Sequence, residues 1–186
     1  MTCALRHTFS IIGFSLAVFL SARHALAQDP SGPSRGHLVF SEDFEKDDAL
    51  KTWPGAAQLG DGRESKRSLL IRNAPQSATG SAMCSRALPV QQIRGCSILI
   101  AAQVRAENIS AKPDSWNGVK LMLAIDSPGG KFWPQASIGT GSFDWRKFTF
   151  AVRIPKDATA ATLCLGLEKV SGSNGTSRIY KPCCET

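Results

Sequence analysis

WNGVKLMLAIDSPGGKFWPQASIGTGSFDWRKFTFAVRI, from Trp116 to Ile154, decides the fold class because two alternating runs in it flank turn chemistry. Val119, Leu121, Leu123 and Ile125 fall on one face of an extended chain, and Lys120, Met122, Ala124 and Asp126 fall on the other. This is the period-two pattern of a half-buried strand. Phe148, Phe150, Val152 and Ile154 repeat it, with Lys147, Thr149 and Arg153 opposite. Ser127-Pro128-Gly129-Gly130 and Gly139-Thr140-Gly141-Ser142 read as turns, so the segment is strand, turn, short strand, loop, strand. The expected class is antiparallel all-β.

Upstream, Cys96 to Ala106 predicts a long strand with Ile98, Ile100, Ala102, Val104 and Ala106 on one face. Its other face, Leu99, Ala101, Gln103, Arg105 and Glu107, is small near the start and polar toward the end. Such a face is either the floor of a binding cleft or an ordinary solvated surface. Ser68 to Arg72 and Met83 to Val90 predict shorter strands around the turn-rich stretch Asn73 to Gly80. A first strand begins at His37, with Leu38, Phe40 and Phe44 inward, and Asp47 to Pro54 suits a short helical turn stopped by Pro54.

Met1 to Ala27 reads as a signal peptide: Arg6 and His7 precede the apolar run Phe9 to Leu20, and Ala25-Leu26-Ala27 supplies a small-residue cleavage site. The run falls short of the ~20 apolar residues a spanning helix needs. Residues 28–36, QDPSGPSRG, read as a disordered leader, residues 37–172 as one domain and residues 173–186 as an atypical tail. The expected product is secreted, free of the membrane once processed. Losing Arg6 and Arg23 takes Lys plus Arg from 22 to 20 against 15 acids, a mature net charge of +5. The basic residues are scattered, with only Arg63 to Arg67 approaching a cluster, which argues against nucleic acid as a partner.

The chain has three histidines, His7, His24 and His37, and the first two leave with the signal. No nucleophile–His pair and no His/Cys zinc site can be assembled from His37 alone. Carboxylates for glycoside hydrolysis exist, but none sits in a glycosidase signature. Sugar binding needs aromatic planes against C–H faces and planar partners for hydroxyls. Trp116-Asn117 and Trp133-Pro134-Gln135 each set an aromatic beside an amide at a strand end or loop. Those four residues, Trp116, Asn117, Trp133 and Gln135, are the expected carbohydrate contacts; the competing reading packs both tryptophans onto the end of the barrel.

The stretches WNGVKLMLAID, FSEDFEKDDALKTW and FWPQASIGTGSFDWRKFTFAVRIPKDATAATLCLGLE resemble the β-jelly-roll carbohydrate-binding modules of the families four and nine type, a galactose-binding-like sandwich found beside secreted glycoside hydrolases. The resemblance covers Leu38 to Gly172 and implies a non-catalytic module for a polysaccharide of the β-glucan or xylan type. The alternative is a structural or adhesion jelly roll without a sugar site. It also implies that Trp53 and Trp145 are structural, and that one calcium is held by acidic oxygens of the first strand, matched here by Glu42, Asp43 and Glu45. In such domains a terminal strand carries a further aspartate. The tail SNGTSRIYKPCCET does not match it, so the expected sandwich lacks its normal last strand, as if truncated or frameshifted.

Cys84, Cys96, Cys164, Cys183 and Cys184 remain after processing, an odd number. Cys84 and Cys96 can bridge only if their strands pair; Cys164, in an apolar run, is expected as a core thiol. Asn108-Ile109-Ser110 and Asn174-Gly175-Thr176 match the N-glycosylation pattern.

Overall fold

The alternating runs become strands of two antiparallel sheets in the computed structural model, which describes residues 38–77 and 80–184. The signal segment, the leader and His37 lie outside the described residues. In chain order the strands are β1 Leu38–Glu42, β2 Gln58–Asp61, β3 Arg67–Asn73, β4 Ser81–Ala87, β5 Ser97–Ile109, β6 Gly118–Ser127, β7 Gly130–Phe132, β8 Gly141–Arg153, β9 Ala160–Glu168 and β10 Gly172–Cys184. A 3₁₀ turn at Ala49–Thr52 and one helical turn, α1 Val90–Ile93, interrupt the β structure. One sheet runs β2-β3-β10-β5-β8 with β1 also on β10, and the other runs β4-β9-β6-β7. Face to face they form an antiparallel β-sandwich of the jelly-roll class, as the alternation predicts.

Between the sheets lies the core. Ile98, Ile100, Ala102, Val104 and Ala106 of β5 meet Val119, Leu121, Leu123 and Ile125 of β6 and Leu163, Leu165 and Leu167 of β9, all buried. Each strand buries its alternate residues because the pleat sends successive side chains to opposite faces. Trp53 closes one end, 1% exposed, with Phe44 at 5.8 Å and Phe40 at 6.5 Å between ring centroids. Its placement after the 3₁₀ turn agrees with the expectation that it is a plug.

Two expectations, the missing last strand and a core position for Trp145, are overturned, and two points the sequence left open are closed. The sandwich does not lack its last strand: β10 occupies residues 172–184 and is central to its sheet. Its first half pairs β3 through Asn174↔Ile71 and Thr176↔Leu69, its second half pairs β1 through Ser41↔Tyr180, and β5 runs along its opposite edge. With both edges paired, the ladder rather than side-chain alternation holds it in place. That is why a sequence poor in apolar residues suffices, with Asn174, Thr176 and Ile179 facing the core. A bulge at Arg178, φ 45°, resets the register between Ser177 and Ile179.

Cys84 and Cys96 are free, not bridged, because Cys84 belongs to β4 while Cys96 leads into β5 of the opposite sheet. Burial pushes the Cys84 thiol up to about 12, with the nearby Cys164 adding to it, so it is an inert core thiol. Asn174 is buried and therefore closed to glycosylation in the folded chain. Trp145 is not a core residue. It is half-buried on the outer face of the six-stranded sheet, where an added Cβ on Gly175 would come within 3.1 Å of its ring. The backbone of β10 is the floor on which that indole lies, and glycine at 175 leaves the space for it.

Candidate functional site

Outward-facing residues of β6 and β9 and the loops at their ends build the first candidate site. Trp116 and Trp133 are the most exposed aromatic side chains among the described residues, 59% and 58%. Trp116 sits in the loop entering β6; Trp133 follows β7, where the chain stays alongside β6 through Leu123 N to Pro134 O at 2.9 Å and Ala136 N to Leu121 O at 3.0 Å. That pairing sets Gln135 opposite Met122 on the outer face of the sheet. Trp116, Asn117 and Gln135 line a cavity of about 230 Å³ together with Lys112, Ser115 and Ser137.

Joined to the Trp116 loop and to Gln135 is Lys120, 3% exposed, which sequence reasoning left as a solvated strand residue. Its ammonium donates to the Trp116 carbonyl at 2.5 Å and to Gln135 Oε1 at 2.9 Å, and pairs with Glu168 Oε2 at 2.7 Å. Three donors therefore meet three acceptors, the condition under which a buried lysine is tolerated. Gln135 Nε2 also donates to the Trp116 carbonyl at 3.2 Å, so the amide and the Trp116 loop are held by one knot. Burial pushes the Glu168 carboxyl up, but the hydrogen bonds from Lys120 and Asn117 and the charge of Lys120 outweigh it, leaving it below its ordinary value.

Of the four expected contacts, then, Trp116 and Gln135 are brought together at one cavity, and Trp133 is open to solvent two residues before Gln135. Asn117 is brought to the same place but is 2% exposed, donating to Glu168 at 3.1 Å and accepting from Asp114 N at 3.2 Å. Both ends of its amide have partners within the protein, which fixes the loop that carries Trp116. Cys164, expected in the core, is half-buried on this outer face, opposite Met122 and Ser85 in the ladders. A lysine at an outward strand position carries no sequence signal that it will be covered. Its partners come from the Trp116 loop, from β9 and from the return of residues 134–136 along β6.

Glu42, Asp43 and Glu45 do not fit calcium as folded. Glu42 Oε2 pairs with Arg86 at 2.6 Å and accepts from Trp53 Nε1 at 3.4 Å, while its Oε1 accepts from Phe44 N. Asp43 Oδ1 accepts from Glu45 N and Glu45 Oε1 from Arg67 N. Calcium requires about six to eight oxygens converging on one point. Among the described residues no cluster of three or more His, Cys, Asp or Glu forms. Adding calcium to metal-stripped protein is expected to leave its melting temperature unchanged; a concentration-dependent rise would show a site that binds the folded state.

No family model matches the chain, and no curated protein matches it. Solved structures do. The CBM22-1 xylan-binding domain of Paenibacillus barcinonensis Xyn10C superposes with a TM-score of 0.60 at 10% identity, over 82% of this chain and 97% of that one. A further CBM22 xylan-binding domain gives a TM-score of 0.60 at 18% identity, over 83% of this chain and 99% of the other. The CBM22-1–GH10 modules of Clostridium thermocellum endo-1,4-β-D-xylanase 10B, complexed with xylohexaose, give 0.59 at 15% identity over 81% of this chain, which spans 29% of that one. The expected families four and nine are not what these structures represent, and at such identities the likeness is one of fold. The chain has the two-sheet antiparallel β-sandwich of the family 22 carbohydrate-binding modules.

Proposed function

We propose that this chain is a secreted, non-catalytic module that binds a polysaccharide of the xylan type, standing free or joined to a glycoside hydrolase. The observation that carries the reading is that Trp116 and Trp133 are both open indoles, with the Gln135 amide fixed to the Trp116 loop, on a fold shared with xylan-binding modules. The indoles offer flat apolar surface to pyranose C–H faces, and the pinned amide offers a planar hydrogen-bonding edge. Preorganisation by Lys120 lowers the ordering cost of binding. The core needs neither ring, which separates binding from folding.

Affinity electrophoresis against xylan, β-glucan and mannan tests this directly. Trp116→Ala and Trp133→Ala are each expected to weaken xylan binding about tenfold, an aromatic contact being worth about 1 to 1.5 kcal/mol, with melting temperatures unchanged. Folded variants with undiminished affinity, or wild-type protein that none of the three polymers retards, would replace the sugar reading by that of a structural or adhesion sandwich.

A further inference from the structure

The outer face of the four-stranded sheet carries a cluster of sulfur that neither the core nor the Trp116 cavity uses. The sequence has three methionines, Met1, Met83 and Met122, and the two among the described residues both lie on this face. Met122 of β6 stands directly opposite Cys164 of β9 in one ladder. Ser85 of β4 stands directly opposite Cys164 in the other, which makes Met83 its diagonal neighbour. Side chains opposed across an antiparallel pair have Cβ atoms about 4.5 to 5.5 Å apart, and diagonal ones about 7 to 8 Å or less. A thioether arm, unbranched and flexible, spans either gap. Met83 lies against β9: its Cγ would be 2.9 Å from a Cβ on Gly166, and the glycine leaves it that space.

All three sulfur residues are half-buried, neither packed into the core nor fully hydrated. The Cys164 thiol makes a long, weak hydrogen bond to the Thr162 carbonyl at 3.7 Å. Burial pushes this thiol up, while a backbone hydrogen bond at Ala124 and the charge of Lys120 act the other way. A bare thiolate is therefore disfavoured here, whereas a thiolate neutralised by a single positive charge escapes that penalty.

One thiolate with two thioethers is a soft donor set. Such ligands select monovalent copper, while zinc takes a closed tetrahedral set and divalent copper favours nitrogen and oxygen. Among the described residues there is no histidine, since His7, His24 and His37 all precede them. A monovalent cation also cancels the thiolate, so the complex is neutral on a half-buried face; a divalent ion would leave net positive charge on the face that Lys120 shares. We propose that Cys164, Met122 and Met83 form a binding site for copper(I) on the outer face of the four-stranded sheet. The thiol proton passes to solvent as the sulfur–copper bond forms, and no oxidation state changes. The site is independent of the sugar reading, since it uses neither open indole nor the Gln135 amide.

The test is an anaerobic titration of the reduced mature chain with copper(I) against the coloured chelator bathocuproine disulfonate, with thermal melts alongside. Cys183 and Cys184 supply two competing thiols, so the titration is run on Cys183→Ser/Cys184→Ser protein as well as on wild type. In both, a single equivalent of copper should leave the chelator, a thiolate-to-copper absorption should appear in the near ultraviolet, and Cys164 should become protected from iodoacetamide, read by peptide mass spectrometry. Met122→Leu and Met83→Leu keep the side-chain volume and should each weaken affinity by at least the roughly 10- to 100-fold that even a ligand's supporting partners cost. Cys164→Ser should abolish the absorption. If Cys164→Ser melts low, iodoacetamide protection in the Cys183→Ser/Cys184→Ser chain decides instead. Copper binding that vanishes in Cys183→Ser/Cys184→Ser protein, that survives Cys164→Ser, or that is unchanged in both leucine variants would overturn the proposal.

Discussion

Ending the chain at Gly172 is expected to leave a polypeptide that does not fold. The segment removed contains β10, which is paired along both edges, to β5 on one side and to β3 and β1 on the other. Without it β3 and β5 face each other across a strand-wide gap, Ile179, Thr176 and Asn174 leave the core, and β1 loses the only ladder it makes among the described residues. A domain's whole stability is about 5 to 15 kcal/mol, less than a central strand with two ladders and its share of the core supplies. Urea titration followed by far-ultraviolet circular dichroism should show no cooperative transition in the truncated chain. A milder probe of the same idea is Thr176→Pro, which deletes a donor in mid-strand where proline is not accommodated and should cost about 3 kcal/mol or more. A truncated chain that still melts cooperatively would show that β10 is dispensable and return the tail to the status of an appendage.

The second large effect is expected at Lys120. Replacing it by Met leaves Glu168, the Gln135 amide and the Trp116 carbonyl without their shared donor. Removing one member of a buried pair costs about 3 to 5 kcal/mol, and because Glu168 keeps 28% of its side-chain surface in water the lower figure applies. Pairing Lys120→Met with Glu168→Gln should cost less than Lys120→Met alone, since the stranded charge is then gone. Xylan affinity should fall in the same variant, because the loop carrying Trp116 and the Gln135 side chain loses its anchor.

Acid should weaken the same interaction. The folded Glu168 carboxyl lies below its ordinary value, so its contribution is complete above the usual carboxylate range and is lost as pH falls through the lowered value. The stability gap between wild-type protein and Lys120→Met should therefore be widest near about pH 7 and close toward about pH 3. A gap that is constant across that range would mean that lost packing of the lysine stem, not the ion pair, accounts for the cost.

Local alternation determined most of the sandwich. The inward sets of β5 and β6 are buried as their spacing requires, because a strand whose one face meets a core must alternate. The indoles of Trp116 and Trp133 stand open at strand ends, where an aromatic beside an amide has no core to join. What the tertiary structure decided lies where partners come from distant parts of the chain. β10 is a strand because β1, β3 and β5 supply its ladders, not because its own residues alternate. Lys120 is buried among partners from the Trp116 loop, Gln135 and Glu168, and the Trp145 ring lies outside the core over Gly175, which leaves room for it. Met122 and Cys164 stand opposite each other because strands far apart in the chain are ladder neighbours. Sequence periodicity reports which face of a strand is dry; it carries no information about which remote segment will cover the other face.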